Sequence, residues 1–359
     1  MIQYTIRRIL LAIPVIFAIL VVTFTLARAI PGDPCKAILG EKATAATCER
    51  FTREFGLDEP VWKQFVIYLQ KIGQGDFGES IRFGRPVLTI LLERLPTTIE
   101  LGMSAMFIAV IVGIPAGILS AVRRNSWIDV TTMIGANIGV SLPVFFLGLL
   151  LIYLFAVVLK GTPFALPPSG RLSPGVVPIP FYEVYNLTAE AGSTRLLFYD
   201  FLAKHYIFNS FITFDWVVFG DASKHLILPA IALSTIPLSI LARMTRSSML
   251  EVLGLDYMRT ARAKGLPERT VISRHALRNA LLPVVTVAGL QLAAILGGAV
   301  LTETIFGLAG VGLSVYEAIT SRDFPIIQGF VIVIALIYVT FNLLVDLSYA
   351  VLDPRIRLN

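Results

Sequence analysis

Residues able to make or break bonds are few in this 359-residue chain, and their spacing matches no catalytic pattern. His205, His225 and His275 are the only histidines, too scattered for an H-E-x-x-H pair or a zinc ligand set. No Cys-x-x-Cys, Gly-x-Ser-x-Gly or G-x-x-x-x-G-K-[ST] occurs, so thiol exchange, acyl transfer and phosphate cradling have no basis here. Cys35 and Cys48 can pair in an oxidising compartment or stay as two small apolar residues. Asp76 stands in a turn with Gly73, Gly75 and Gly78, but no acidic or His cluster and no following helix N-terminus supports a metal or phosphate there. No catalytic residue, metal or resident cofactor is expected.

The densest charge pattern is LDYMRTARAKGLPERTVISRHALRNALLP, Leu255 to Pro283. Asp256 is placed to cap a helix, and Gly265 with Pro267 two residues later is a helix stop. The interval gives a helix of about nine residues, roughly 14 Å long. Pro267 then suits the start of a second helix running through Leu281, with Glu268 favoured in its first turn. Tyr257, Ala261 and Lys264 share one face of the first helix, Arg259 and Arg262 another. Small residues at Ala261, Ala263 and Gly265 permit close approach by a second surface. A helix this short is marginal alone, so the reading requires something to hold it. The simpler alternative is a solvated basic loop that sets topology or binds anionic lipid.

What must position this segment is a membrane protein, because 56% of the residues are apolar and only 15% charged. A transmembrane helix needs about 20 apolar residues. Six stretches without Asp, Glu, Lys or Arg come near that length: Ile9–Ala27, Leu101–Val122, Val130–Leu159, Leu226–Ala242, Val284–Leu301 and Ile326–Val345. The first reads as a retained helix rather than a cleaved leader. The third exceeds one span and is expected to end in the interface or tilt around Pro143; the fourth is the weakest, short and carrying Pro229 and Pro237. Gly289, Ala293, Ala294, Gly297 and Gly298 give the fifth a small-residue face, for a pore lining or for static packing. Arg28 and Asp346 sit at span ends, where snorkelling explains them better than ion coupling.

Arg7, Arg8, Arg123, Arg124, Arg355, Arg357 and the eight basic residues between Arg243 and Arg278 place both termini and the opening loop in the cytoplasm. The expectation is an all-α integral membrane protein with six transmembrane helices and two long extracytoplasmic segments. It divides into a first helix (1–30), an extracytoplasmic segment (31–98) and a five-helix core (99–359), with an extracytoplasmic insertion (160–225) and a cytoplasmic loop (243–281). The aromatic stretch Leu196–Phe219 within the insertion is read as an interfacial helix or packed cap.

DYMRTARAKGL followed by RHALRNALLPVVT resembles the EAA-type cytoplasmic loop of ABC importer permeases, in the dipeptide, oligopeptide and nickel branch and its B-type subunit. RRIL, IPGDP, FGLDEPV, GDFGES, RLPTTIEL, HLILPAIAL, ETIF and LLVDLSYAVLDPR match in order, so the resemblance spans Arg7 to Arg355. It implies a type I ABC importer permease fold, a second homologous permease, a pair of cytoplasmic P-loop ATPase subunits that hold ATP and Mg, an extracytoplasmic solute-binding protein and a lipid setting, with no nucleic acid. By position, the coupling helix falls at Asp256 to Gly265, with Tyr257 and Arg262 within it, and Arg259, Thr260 and Ala261 occupy the EAA positions. Arg259 departs from the acidic residue of the general pattern, and Leu282-Pro283 lies further beyond Gly265 than in sugar permeases; both departures favour peptides as substrates. Members of the branch also carry glutathione, nickel chelates or sugars, and these stay open beside a channel or carrier without ATPase partners.

Overall fold

The computed structural model describes residues 2–29, 35, 43–54, 56, 58–190 and 192–352. Every regular element among them is helical, as a hydrocarbon setting requires of a backbone that must satisfy its own hydrogen bonds. In chain order the helices are α1 (Ile2–Ala29), α2 (Ala45–Glu54), α3 (Val61–Gly73), α4 (Val87–Val122), α5 (Trp127–Ser141), α6 (Val144–Ile152), α7 (Phe181–Val184), α8 (Thr194–Ala203), α9 (Tyr206–Ile212), α10 (Trp216–Leu253), α11 (Asp256–Ala263), α12 (Leu277–Gly298), α13 (Val300–Ile305), α14 (Val311–Ser321) and α15 (Phe324–Leu352). A π turn, Tyr153–Val158, prolongs α6; an α turn, Glu268–Thr270, and a π turn, Val271–Ala276, lead directly into α12.

Five helical runs are long and apolar enough to cross a membrane, and α5 with α6 makes a sixth if that bent pair counts as one span. The bend is 101°, so the third stretch, expected to end in the interface or to tilt around Pro143, is broken at that proline. Proline cannot donate to the preceding turn and pushes its neighbour out of the helical region; Leu142 accordingly lies at φ −78°, ψ 125°. Leu226–Ala242, read as the weakest span, is the middle of the 38-residue α10, the most buried of the runs. At 1.5 Å per residue α10 reaches roughly 57 Å, nearly twice a hydrocarbon core, which lets charged residues belong to the helix while standing outside the apolar zone.

α10 packs along α4, and glycine sets their separation. A Cβ added at Gly113 would stand 2.8 Å from the Leu238 carbonyl oxygen, and one at Gly117 2.5 Å from that of Ala242. Around this seam lies the main core, with Leu101, Ala105, Ala109, Leu228, Leu241, Val284 and Phe306. The second helix expected to run through Leu281 and feed into the fifth span does so without a break, α12 passing through Pro283, and the fifth span ends at Gly298 rather than Leu301 because Ala299 breaks the run. α4 also runs without interruption through the expected division at 98–99.

On the other side of the bundle, Cys35 and Cys48 are joined by a disulfide, with Cα atoms 5.4 Å apart. Phe65 of α3 packs edge-on against Phe24 and Phe17 of α1, ring centroids 5.0 and 6.1 Å apart. The loop beyond α3 is fixed to the core by Asp323, which is buried and accepts from Ser80 Oγ at 2.5 Å, Arg82 N at 3.1 Å and Ile81 N at 3.3 Å. Asp323→Ala is expected to free this loop, because each orphaned donor costs about 1–3 kcal/mol. Limited proteolysis of the solubilised protein should then cut between 76 and 86 about tenfold faster; an unchanged rate would remove Asp323 from that role.

The aromatic stretch is not one helix: it divides among α8, α9 and the first turn of α10, which Trp216 to Phe219 open. Arg171 straps the insertion to α4, with its guanidinium 2.8 Å from Glu100 and 3.8 Å above the Tyr206 ring. Glu303 of the ETIF sequence is fully buried and accepts from Thr98 Oγ1 at 2.6 Å and Leu313 N at 2.9 Å, at the start of α14. Burial pushes its carboxyl above the usual range, against the pull of those donors.

Candidate coupling site

The Leu255–Pro283 segment forms a short helix, a glycine turn and the foot of α12. Asp256 is not the N-cap: Leu255 holds that place in extended conformation, φ −76°, ψ 151°. Asp256 belongs to the first turn, where its charge suits the helix N-terminus, and its exposed side chain lies 3.5 Å from Arg259. At the other end Gly265 adopts φ +77°, the left-handed region that glycine enters without strain, and donates to Arg262 O at 2.9 Å. Across the turn, Arg262 grips Glu268 with Nε at 3.2 Å and Nη2 at 3.0 Å.

Met258 and Ala261, one turn apart, point into the chain, 0% and 7% exposed. They fit a socket lined by Ala121 of α4, Met249 and Val252 of α10, Val271 and Ala276 of the π turn, and Ala280 of α12. Ala261 therefore does not share an outward face with Tyr257, and its small size serves contact with its own chain. Asp256, Tyr257, Arg259, Thr260, Arg262 and Ala263 make the outward surface. Tyr257 is braced by Asn279 Nδ2, which donates to its hydroxyl at 2.8 Å, and Thr260 Oγ1 donates to Asp256 O at 3.2 Å.

The result is a basic helix held at its base by apolar contacts and presenting nearly all its polar groups outward. No buried nucleophile or acid–base pair lies on α11. Among the described residues no group of three His, Cys, Asp or Glu side chains is placed to hold a metal. Two glycines of the small-residue face of α12, Gly289 and Gly297, lie nearest α15. A Cβ at Gly289 would run into Val345, one at Gly297 would stand 3.7 Å from Ile334, and Gly298 closes the helix. Gly289 thus packs against α15, while Ala294 and Gly297 are exposed on the surface of the chain. The side chains of Arg28 and Asp346 lie outside the described residues.

The sequence reading missed Asp129 and Arg246. Arg246 Nε and Nη2 donate to the Asp129 carboxylate at 2.6 and 2.8 Å, and Ser120 Oγ adds a bond of 2.5 Å. A signal was present: Asp129 immediately precedes one apolar run and Arg246 lies four residues past another, which sets opposite charges at span ends on one side.

Residues 113–358 match the family described as the binding-protein-dependent transport system inner membrane component, and residues 1–102 match its N-terminal membrane component. The chain belongs to this family. The dipeptide transport system permease protein DppB of Alkalihalophilus pseudofirmus is 44% identical over 99% of this chain and all of the relative. DppB of Escherichia coli K12 is 43% identical over 99% of each chain. The probable D,D-dipeptide transport system permease protein DdpB of the same strain is 42% identical over 95% of this chain and 94% of its own. This permease thus falls in the dipeptide and oligopeptide branch, and it is a multi-pass protein of the cytoplasmic membrane. Its relatives are transport permeases rather than enzymes.

Proposed function

We propose that this permease subunit forms, with a second homologous permease, the path by which an ABC importer takes up dipeptides or oligopeptides. One of a pair of P-loop ATPases carrying ATP and Mg docks on α11, and an extracytoplasmic solute-binding protein delivers the peptide. The observation that carries this reading is α11 itself, a short helix seated by Met258 and Ala261 with a basic face left outward. A topogenic loop needs charge alone and has no use for a socket. The full-length likeness to dipeptide permeases supports the substrate class.

Orientation is part of the proposal. The basic residues around α11 favour the cytoplasm, and a disulfide between Cys35 and Cys48 is at home in an oxidising space outside. Both termini and α11 then lie inside, with α2, α3 and the 160–225 insertion outside. ATP-driven closure of the ATPase pair would move α11, and the two permeases would rock between inward- and outward-open states.

Affinity purification of the tagged chain from its own membranes is expected to bring two P-loop ATPases and a second permease. Reconstituted together, they should import a labelled dipeptide only with ATP and the binding protein. Uptake by the tagged chain alone in liposomes would overturn the reading.

A further inference from the structure

We propose that Asp129 and Arg246 are positioning residues that clamp the inner ends of α4, α5 and α10 around the α11 socket, so that a displacement of α11 moves the three helices as one. The inference rests on the reading of α11 as the ATPase-docking helix. The Asp129 carboxylate is 4% exposed and gathers hydrogen bonds from three elements. Arg246 of α10 supplies two, at 2.6 and 2.8 Å. Ser120 of α4 supplies one at 2.5 Å, and the backbone N–H of Asn125, in the α4–α5 turn at φ 61°, another at 3.0 Å.

The clamp adjoins the socket through the chain itself. Ala121 follows Ser120 directly, and Met249 lies one helical turn beyond Arg246; both line the pocket that takes Met258. The two features divide the work by their physics. Apolar contact at Met258 anchors α11 but is non-directional, so alone it would let helices slide under load. A bidentate guanidinium–carboxylate pair is planar and directional, so it fixes the angle between α5 and α10 as well as their distance. The glycine seam at Gly113 and Gly117 then carries that angle along α4 and α10.

The test uses the complete complex in liposomes, with Asp129→Asn in this chain. Asparagine keeps one acceptor oxygen and the shape but loses the charge. The ATPases are expected to co-purify in the wild-type amount, while ATP hydrolysed per labelled dipeptide imported rises about tenfold. Arg246→Lys, which keeps the charge and loses the fork, should raise it less, by about threefold. If Asp129→Asn fails to accumulate, Ser120→Ala removes a single bond and should raise the ratio about twofold. Uptake and hydrolysis falling in proportion, or an unchanged ratio in all variants, would overturn the clamp. Absence of ATPases from the wild-type complex would instead overturn the docking reading, and the clamp with it.

Discussion

Met258→Asp is expected to abolish peptide uptake while the protein still inserts. Met258 is fully buried at the centre of the socket, among Ala121, Met249, Val252, Val271 and Ala276. None of these offers a hydrogen-bond donor from its side chain or a counter-charge. A carboxylate placed there costs about 3 kcal/mol or more, which α11 avoids by leaving the socket. That energy corresponds to a drop of more than about a hundredfold in the docked population. Without its base, an eight-residue helix does not hold together. Uptake of a labelled dipeptide should fall to background, and the ATPases should be lost on purification. Met258→Leu conserves volume and costs less than about 1.5 kcal/mol, so it should transport nearly as the wild type. Normal uptake by Met258→Asp would show that the socket does not matter.

Gly117→Leu should act on the fold rather than on docking. The Cβ alone would stand 2.5 Å from the Ala242 carbonyl oxygen and 2.7 Å from Thr245 Cβ. One of those atoms is backbone, so no rotamer change relieves the contact, and α4 and α10 must part. Even Gly117→Ala is expected to destabilise by about 1–3 kcal/mol. Gly135 in α5 supplies the control, since an added Cβ there meets nothing within 4 Å. Gly135→Ala should be neutral or stabilise by up to about 1 kcal/mol through helix propensity. Thermal unfolding of the solubilised variants separates the two: Tm should fall for Gly117→Ala and fall further for Gly117→Leu, while holding or rising for Gly135→Ala. Equal shifts at the two sites would sink the seam as the cause.

The short helix before Gly265 was legible because its C-terminal end is written in local chemistry, although the cap expected at Asp256 falls to Leu255. A proline-restricted stop and a glycine at positive φ need no distant partner, and the structure places the helix at Asp256–Ala263. Its facing was not legible. Ala261 looked like a contact for another protein, yet the nearest surface is its own chain, since α4, α10 and α12 converge beneath it from more than a hundred residues of sequence. The same limit hid the Asp129–Arg246 pair, whose partners are 117 residues apart. Counting Arg246 as a topogenic charge described its compartment and left its bond unseen.

Membrane insertion, the all-helical class and the positions of most spans follow from composition and run length, because a bilayer rewards about 20 apolar residues whatever surrounds them. Those features belong to the sequence by itself. Tertiary structure decided the rest: that α10 is the buried centre, that the third span breaks at Pro143, that Gly289 of α12 packs on α15, and which side of α11 is exposed. Each depends on where another helix lies, and close packing between helices acts over a few ångströms in space with no regard to distance along the chain.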